Sequence, residues 1–357
     1  MELFWYIVIA ITLVIFFILD GYDFGTGIIH IFFARKEEDK KVIAKAAGLF
    51  WDSNEVWLVA TGGLLFMAFP TLYASAFSGF YLPLIIILWL IIFRATGLEF
   101  RNQFSFQMWK DFWDKCFGIS SLLLAFFFGV SLGNIVRGVN LGGVTDGVSS
   151  YEGQYFFLPL FNAQFSPLSD RPGVFDWFTV LIGLISVLTL TIHGANWIIL
   201  KTNSSINDKL LKVIVKLNAS LALLSIITLL AHHSVKSISI KNFIDIPVLM
   251  IFPTLYTISL IALFFVHRFK SQKTGFIFSS TMIFSGISTT ALSLFPVLLS
   301  STNSVHPHLT IYNSSSNDYS LASSIYWGIL GIILIIVYMI IQKRLLSGKI
   351  DKLSYEH

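Results

Sequence analysis

A chain of 357 residues that is 55% hydrophobic and only 12% charged, with a mean hydropathy of +0.76, has too little polar surface to be a soluble domain. Its net charge of +4 is spread over short connections and carries no nucleic-acid signature. The single cysteine, Cys116, excludes an intrachain disulfide, a Cys-x-x-Cys redox pair, an iron–sulfur cluster and covalent haem attachment, and reads as a small core residue.

Apolar stretches long enough to cross roughly 30 Å of hydrocarbon run at 3–31, 47–69, 74–98, 115–136, 174–200, 211–233, 246–267, 275–300 and 321–342. When the connections are assigned alternately to two sides, twenty of the 24 basic residues fall on one side, around 35–45, 94–115, 201–216, 268–273 and 343–352. The other side receives only Arg137, Arg171, Lys236 and Lys241. Lys and Arg collect on the cytoplasmic side of a membrane. The bias therefore predicts an all-α integral membrane protein with nine transmembrane helices, the N-terminus outside and the C-terminus cytoplasmic, in a single polytopic domain covering 1–357.

Met1-Glu-Leu-Phe-Trp5 enters the first span with no basic n-region and no small-residue cleavage site, so this span is expected to stay in place. It carries two acids, Asp20 and Asp23, within Ile18-Leu-Asp-Gly-Tyr-Asp-Phe-Gly25. The second span opens with two more, Asp52 and Glu55, within Phe50-Trp-Asp-Ser-Asn-Glu-Val-Trp57. Trp51 and Trp57 have packing as their default role, and Gly62 and Gly63 read as helix-contact positions. Near the inner end of the third span stands Arg94. The fourth span ends in Gly133-Asn134, with Gly133 another expected helix contact.

The longest connection is an external loop over 137–173, Gly- and Ser-rich at first and then aromatic. It is read as a surface loop, with a lid on a partner subunit as the alternative. His193 lies within the fifth span, His232 and His233 end the sixth, and His30 lies at an inner interface. Of these only His193 has the depth of a haem ligand, and a lone intramembrane His is more often a hydrogen-bonded packing residue. The eighth and ninth spans are joined by a turn-rich connector from Ser300 to Asp318. Phe69-Pro-Thr-Leu-Tyr73 recurs at 252–256, but its flanks diverge and no internal repeat is inferred.

Ionisable groups within a bilayer are expensive and usually functional. Asp20 and Asp23 are expected roughly 15–20 Å from the inner end of their helix, and Asp52 and Glu55 roughly 8–12 Å from theirs, so all four fall in the cytoplasmic half. Each pair is spaced i, i+3 and shares a helix face. Antiparallel packing would bring the two faces together, with Ser53 and Asn54 as hydrogen-bond partners and Gly21, Gly25 and Gly27 permitting close approach. Mutual repulsion in such a cleft suits a proton carrier. The alternative is structural: Arg94 neutralises one of the acids in a buried ion pair. Both uses stay open, although four acids exceed what one or two internal cations can pair.

Leu19-Asp-Gly-Tyr-Asp-Phe-Gly-Thr-Gly27, Trp51-Asp-Ser-Asn-Glu-Val-Trp-Leu58 and Phe69-Pro-Thr-Leu-Tyr-Ala-Ser-Ala-Phe-Ser-Gly-Phe-Tyr81 resemble subunit II of the cytochrome bd-type quinol oxidases. Arg94-Ala-Thr-Gly-Leu-Glu-Phe-Arg101, Gly133-Asn134 and Phe295-Pro-Val-Leu-Leu-Ser-Ser-Thr302 extend the match over essentially the full length, thinning between about 140 and 270.

The resemblance implies a nine-helix subunit of the bacterial cytoplasmic membrane, paired pseudo-symmetrically with a related subunit I. Haems b558, b595 and d, together with the quinol-oxidising loop, belong to subunit I in that family, so this chain is expected to ligate no cofactor. The complex oxidises quinol, reduces dioxygen to water and draws protons from the cytoplasm. Asp52 matches the acid of the Trp-Asp motif associated with a proton route at the subunit interface. Trp51, Glu55 and Trp57 share that motif, and the family often has Gln where this chain has Glu55.

The expected proton pathway is therefore Asp52, Glu55, Asp20 and Asp23, supported by Trp51, Asn54, Trp57 and Arg94. Two readings compete with it: a scaffold for subunit I without any proton role, and a cation-coupled secondary transporter, which lacks the expected paired broken helices. The 35 Phe suit either grooves for a bound quinone or lipid or, more commonly, packing between helices and against lipid. A small accessory subunit is a further expected class of partner.

Overall fold

The computed structural model describes residues 1–169, 171–235, 241–346 and 348–350. The helices are α1 (Glu2–Phe32), α2 (Glu37–Gly48), α3 (Trp51–Ala68), α4 (Pro70–Gly79), α5 (Tyr81–Phe100) and α6 (Gln107–Arg137), then α7 (Trp177–Lys201), α8 (Ile206–Val235) and α9 (Lys241–Asp245). After these come α10 (Ile251–Leu263), α11 (Gln272–Leu294) and α12 (Asp318–Leu345), with a two-stranded antiparallel ribbon, β1 (Val297–Leu299) and β2 (Leu309–Thr310), before the last helix. The side chains of His232 and His233, and all of Lys236 and Lys352, lie outside the described residues.

Helix α1 stands at the centre and packs on α3, α6, α7 and α11. Its closest approach is to α7, where a Cβ on Gly25 would overlap the Leu190 carbonyl and the Gly194 amide, and one on Gly194 would meet the Gly25 backbone. Without a hydrophobic drive between helices in lipid, such backbone-to-backbone fit is what holds them together. The glycines of the first acid motif were expected to admit the second span. They admit α7 instead, and α6, where Gly27 lies against Ser121. Around this crossing Phe16, Phe24, Leu124, Ala125 and Leu190 form one core. Ile29, Ile192, Ile198, Leu210 and Met282 form a second.

Seven single helices are long and apolar enough to cross a membrane among the described residues, and the α3–α4 pair counts as an eighth if taken as one span. A further apolar stretch, Pro247–Leu263, is shorter. The sequence boundary between the second and third spans moves, because the chain turns through 119° between α3 and α4. Pro70 supplies no amide hydrogen and begins the new helix. The expected loop after α1 contains the helix α2, and the expected end of the eighth span is β1. The second Phe-Pro-Thr-Leu-Tyr segment also sits at a helix start, in the first turns of α10, so a shared local preference of Pro accounts for both copies.

Gly62 and Gly63, expected to make helix contacts, have nothing within 4 Å of an added Cβ. They face outward from α3, beside the exposed Val59 and Phe66. The terminal helix α12 packs on α3 and has none of its most apolar window buried. Gly133 does make its expected contact, against Thr179 of α7.

Residues 138–176 fold back over one end of the bundle. Phe156 and Leu158 are buried with Val139, Leu299 and Leu309, whereas Phe157, Phe161 and Leu168 are exposed. The aromatic half of this loop therefore covers its own chain with one set of side chains and presents another outward.

Candidate functional site

The buried stripe of α5 recurs as Ile87, Leu90, Arg94, Gly97 and Leu98, so helical spacing puts a guanidinium where a core residue would stand. Arg94 is fully buried. It donates through Nη1 to Asp20 Oδ1 of α1 at 2.5 Å and through Nη2 to Glu55 Oε2 of α3 at 3.2 Å. Its Cζ lies 4.8 Å from the centre of the Phe24 ring. Three helices are thus joined by one charged group. Asp20 is as enclosed as Arg94, while the Glu55 side chain keeps 19% of its surface exposed.

Asp23, one helical turn beyond Asp20, is completely buried and makes no ion pair among the described residues. Its Oδ2 accepts from Asn54 Nδ2 at 2.8 Å, and Oδ1 has no hydrogen-bond partner among the described residues. The same Asn54 nitrogen lies 2.7 Å from the Tyr22 hydroxyl. An ionised carboxylate with so few partners is costly in a low-dielectric interior. Three carboxylates around a single guanidinium carry more negative charge than it can balance.

Asp52 does not join this group. Its side chain is exposed on the other edge of α3, where the Tyr338 hydroxyl of α12 donates to Oδ2 at 3.3 Å. Although Asp52 and Glu55 are near neighbours on the helix, Glu55 turns toward α5 and Asp52 toward α12. The two acid pairs consequently converge as Asp20, Asp23 and Glu55 only. Ser53, expected as a partner of the acids, donates instead to the Phe50 carbonyl. Trp51 donates to Glu99 at 3.2 Å, and the buried Trp57 packs with its indole nitrogen 2.9 Å from Met339 Sδ.

Two further ionic groups were not singled out from the sequence. Where α1 ends, Asp114 of α6 accepts from Arg101 Nε at 2.5 Å and Lys40 Nζ at 2.9 Å, and lies 2.6 Å from His30 Nε2. Arg101 also reaches Glu37 at 2.9 Å. Burial opposes the charge of Arg101, but its bonds to Asp114 and Glu37 outweigh that and raise its pKa. At the opposite end of α6, the buried Arg137 donates to Asp176 and to the Gly173 carbonyl, while Asn134 accepts from it at 2.6 Å. Asp176 is also the N-cap of α7, in a capping box with Thr179. The count of basic residues by side places Arg101 and Arg137 on opposite sides of the membrane and says nothing of their burial. The acids following them at 114 and 176 were the available signal.

His193 has both ring nitrogens engaged, Nδ1 with Ser279 Oγ at 2.8 Å and Nε2 with the Ile18 carbonyl at 2.8 Å. That is the arrangement of a packing residue, and it does not fit a haem ligand. No group of three or more His, Cys, Asp or Glu is arranged to hold a metal ion among the described residues. Cys116 is half-buried and carries a free thiol.

The model of the cytochrome bd terminal oxidase subunit II family matches residues 1–346. The cytochrome bd ubiquinol oxidase subunit 2 of Bacillus subtilis is 30% identical over 89% of this chain and 87% of its own length. The probable cytochrome oxidase subunit 2 of Haemophilus influenzae is 27% identical over 97% of this chain and 94% of its own. The cytochrome bd-I ubiquinol oxidase subunit 2 of Escherichia coli K12 is 24% identical over 99% and 96% respectively. A chain in the structure of bd oxidase from Geobacillus thermodenitrificans superposes with a TM-score of 0.73 at 16% identity, covering 98% of this chain and 99% of that one, and so shares the fold. A family match across residues 1–346, on a helical membrane protein, means that this chain belongs to the cytochrome bd terminal oxidase subunit II family.

Proposed function

We propose that this chain pairs with a haem-bearing subunit I, crosses the membrane nine times with its N-terminus outside, and provides a cytoplasmic proton approach to the dioxygen-reducing site of that partner. The haems of subunit I would supply the electron transfer and oxygen chemistry. This chain's own part is to bring protons to the boundary and to hold the partner in place.

The observation that carries the reading is the imbalance of charge around Arg94. Asp20 and Glu55 use the guanidinium, and Asp23 remains buried beside them with one oxygen unpartnered. Gaining or losing a proton changes the net charge of such a group without moving a helix. Glu55, the only partly exposed member, is the natural entry, and Asn54 links Asp23 to Tyr22 as a polar continuation. Asp52 stands on the outer edge of α3 with the exposed Val59 and Phe66, a surface suited to a neighbouring subunit. There it would serve as the hand-over point, in keeping with the family motif it matches.

A scaffold role has one observation in its favour, the three-helix tie made by Arg94. The two readings part on a single experiment. In the assembled oxidase, Asp23→Asn keeps the shape and removes the proton site. Quinol-driven oxygen consumption should fall while haem content stays normal; unchanged turnover would leave the cluster structural.

A further inference from the structure

A cavity of about 590 Å³ lies between the ends of α3, α7, α11 and α12 and the middle of α1, with Asn54 on its wall. Its rim carries Lys201, Lys273, Lys343 and Lys349, and among the described residues no Asp or Glu lines it. None of these lysines makes an ion pair with a described acid. Among the described residues Lys349 donates to the neutral oxygens of Asn203 and Gln272, each at 2.7 Å. Lys201 lies over the rings of Phe50 and Trp197 at 4.8 and 5.3 Å. Four ammonium groups drawn together with no acid among the described residues create a positive field that asks for an anion.

The positions of these lysines say how deep the anion would sit. Lys201 ends α7, Lys343 lies in the last turn of α12, Lys273 opens α11, and Lys349 follows α12. All four are therefore at the ends of apolar helices, the level of lipid headgroups. The N-terminus of α11, with Ser271, Gln272 and Lys273 on the cavity wall, adds the positive end of a helix dipole. Below the rim the walls become apolar: Leu19, Phe276 and Met339 surround Tyr22 and Trp197, whose rings stack at 3.9 Å. A cationic rim over an aromatic floor matches an amphiphile. A small soluble anion would have no use for the floor.

We propose that this cavity binds an anionic phospholipid, with the lysines on its phosphate and the aromatic floor against the upper part of its acyl chains. Basic pockets between the ends of membrane helices bind anionic headgroups in this manner. The cavity meets the acid cluster only at Asn54 and Tyr22 on its wall, and lipid binding there needs no proton movement through the cluster.

The test uses the assembled oxidase, delipidated and exposed to mixed micelles of equal phosphatidylglycerol and phosphatidylcholine, with retained lipid measured by native mass spectrometry. Phosphatidylglycerol should be retained over phosphatidylcholine by at least about tenfold. The triple variant Lys273→Gln, Lys343→Gln, Lys349→Gln should lose that preference, and the corresponding triple Arg variant should keep it. Haem content monitors assembly in each case. Should the Gln variant fail to assemble, a photoreactive phosphatidylglycerol on the native complex decides: crosslinks to the segments 197–201 and 339–349 support the site, and crosslinks confined to other segments overturn it. Equal retention of both lipids, an unchanged preference in the Gln variant, displacement by millimolar inorganic phosphate, or a quinone recovered from the cavity would each overturn the proposal.

Discussion

Asn54 of α3 donates to Asp23 of α1 at 2.8 Å and leaves the second carboxylate oxygen of Asp23 without a partner. This uneven contact separates Asp23 from Asp20, three residues away, whose charge is met directly by Arg94. The two acids of one motif therefore call for different experiments.

Asp23→Asn should lower quinol-driven oxygen consumption by about tenfold or more with normal haem spectra. Asp23→Glu, which restores a titratable group, should recover part of the rate. Steady-state oxygen-electrode traces on matched haem concentrations read both. Loss of haem in the Asn variant would instead reveal a folding defect.

Removing Arg94 should be far more damaging to the fold than removing Asp23. Arg94→Gln leaves Asp20 and Glu55 buried or partly buried without a cation, a change that costs about 3–5 kcal/mol. The double variant Arg94→Gln, Asp20→Asn should regain stability by removing the stranded charge. Thermal unfolding of the purified complex in detergent provides the comparison.

Asp52 tests the boundary. Asp52→Asn should slow oxygen consumption at unchanged haem content, whereas Tyr338→Phe, which removes only the exposed 3.3 Å contact, should alter stability by less than about 1 kcal/mol. Unaltered turnover in Asp52→Asn would remove Asp52 from the route.

The glycines give a paired test of packing. Gly25→Ala should abolish assembly, because its Cβ would overlap the α7 backbone at Leu190 and Gly194, while Gly62→Ala should not lower the isolated subunit's stability and should raise it by up to about 1 kcal/mol, since no neighbouring helix among the described residues lies within 4 Å. Membrane yield and the temperature at which each variant aggregates measure this. If Gly62→Ala weakens only the assembled complex, the outward face of α3 is in contact with a partner.

Topology is checked by labelling. On a Cys116→Ser background, Glu152→Cys should react with a membrane-impermeant maleimide in intact cells, and Lys41→Cys should react only after lysis. The reverse pattern would invert the orientation derived from the basic residues.

The membrane class, the helical content and the acid motifs are legible in the sequence because apolar runs and rare charges within them are strong local signals. The broken α3–α4 segment is harder to read, since hydropathy continues across Phe69–Pro70 while the backbone turns. That Arg94 can pair with one of these acids is legible from its depth, but its meeting with both Asp20 and Glu55, and the exclusion of Asp52, depend on which way α3 rotates against its neighbours. Counting Lys and Arg by loop reads charge without depth. It therefore does not reveal that Arg101 and Arg137 are both buried and enclosed by acids or carbonyls. Long-range partners such as Asp114 and Asp176 become visible only when the helix ends are brought together.

The contact between Gly25 and Gly194 fixes how α1 can behave beside the acid cluster. With backbone pressed on backbone there, α1 has no slack to rotate or slide against α7, and the carboxylates two and five residues before Gly25 keep their spacing to one another. A moving wall here would have to open that contact first. What the proposed route would leave variable is electrical: the region would act as a fixed-plate capacitor, charged and discharged by protons.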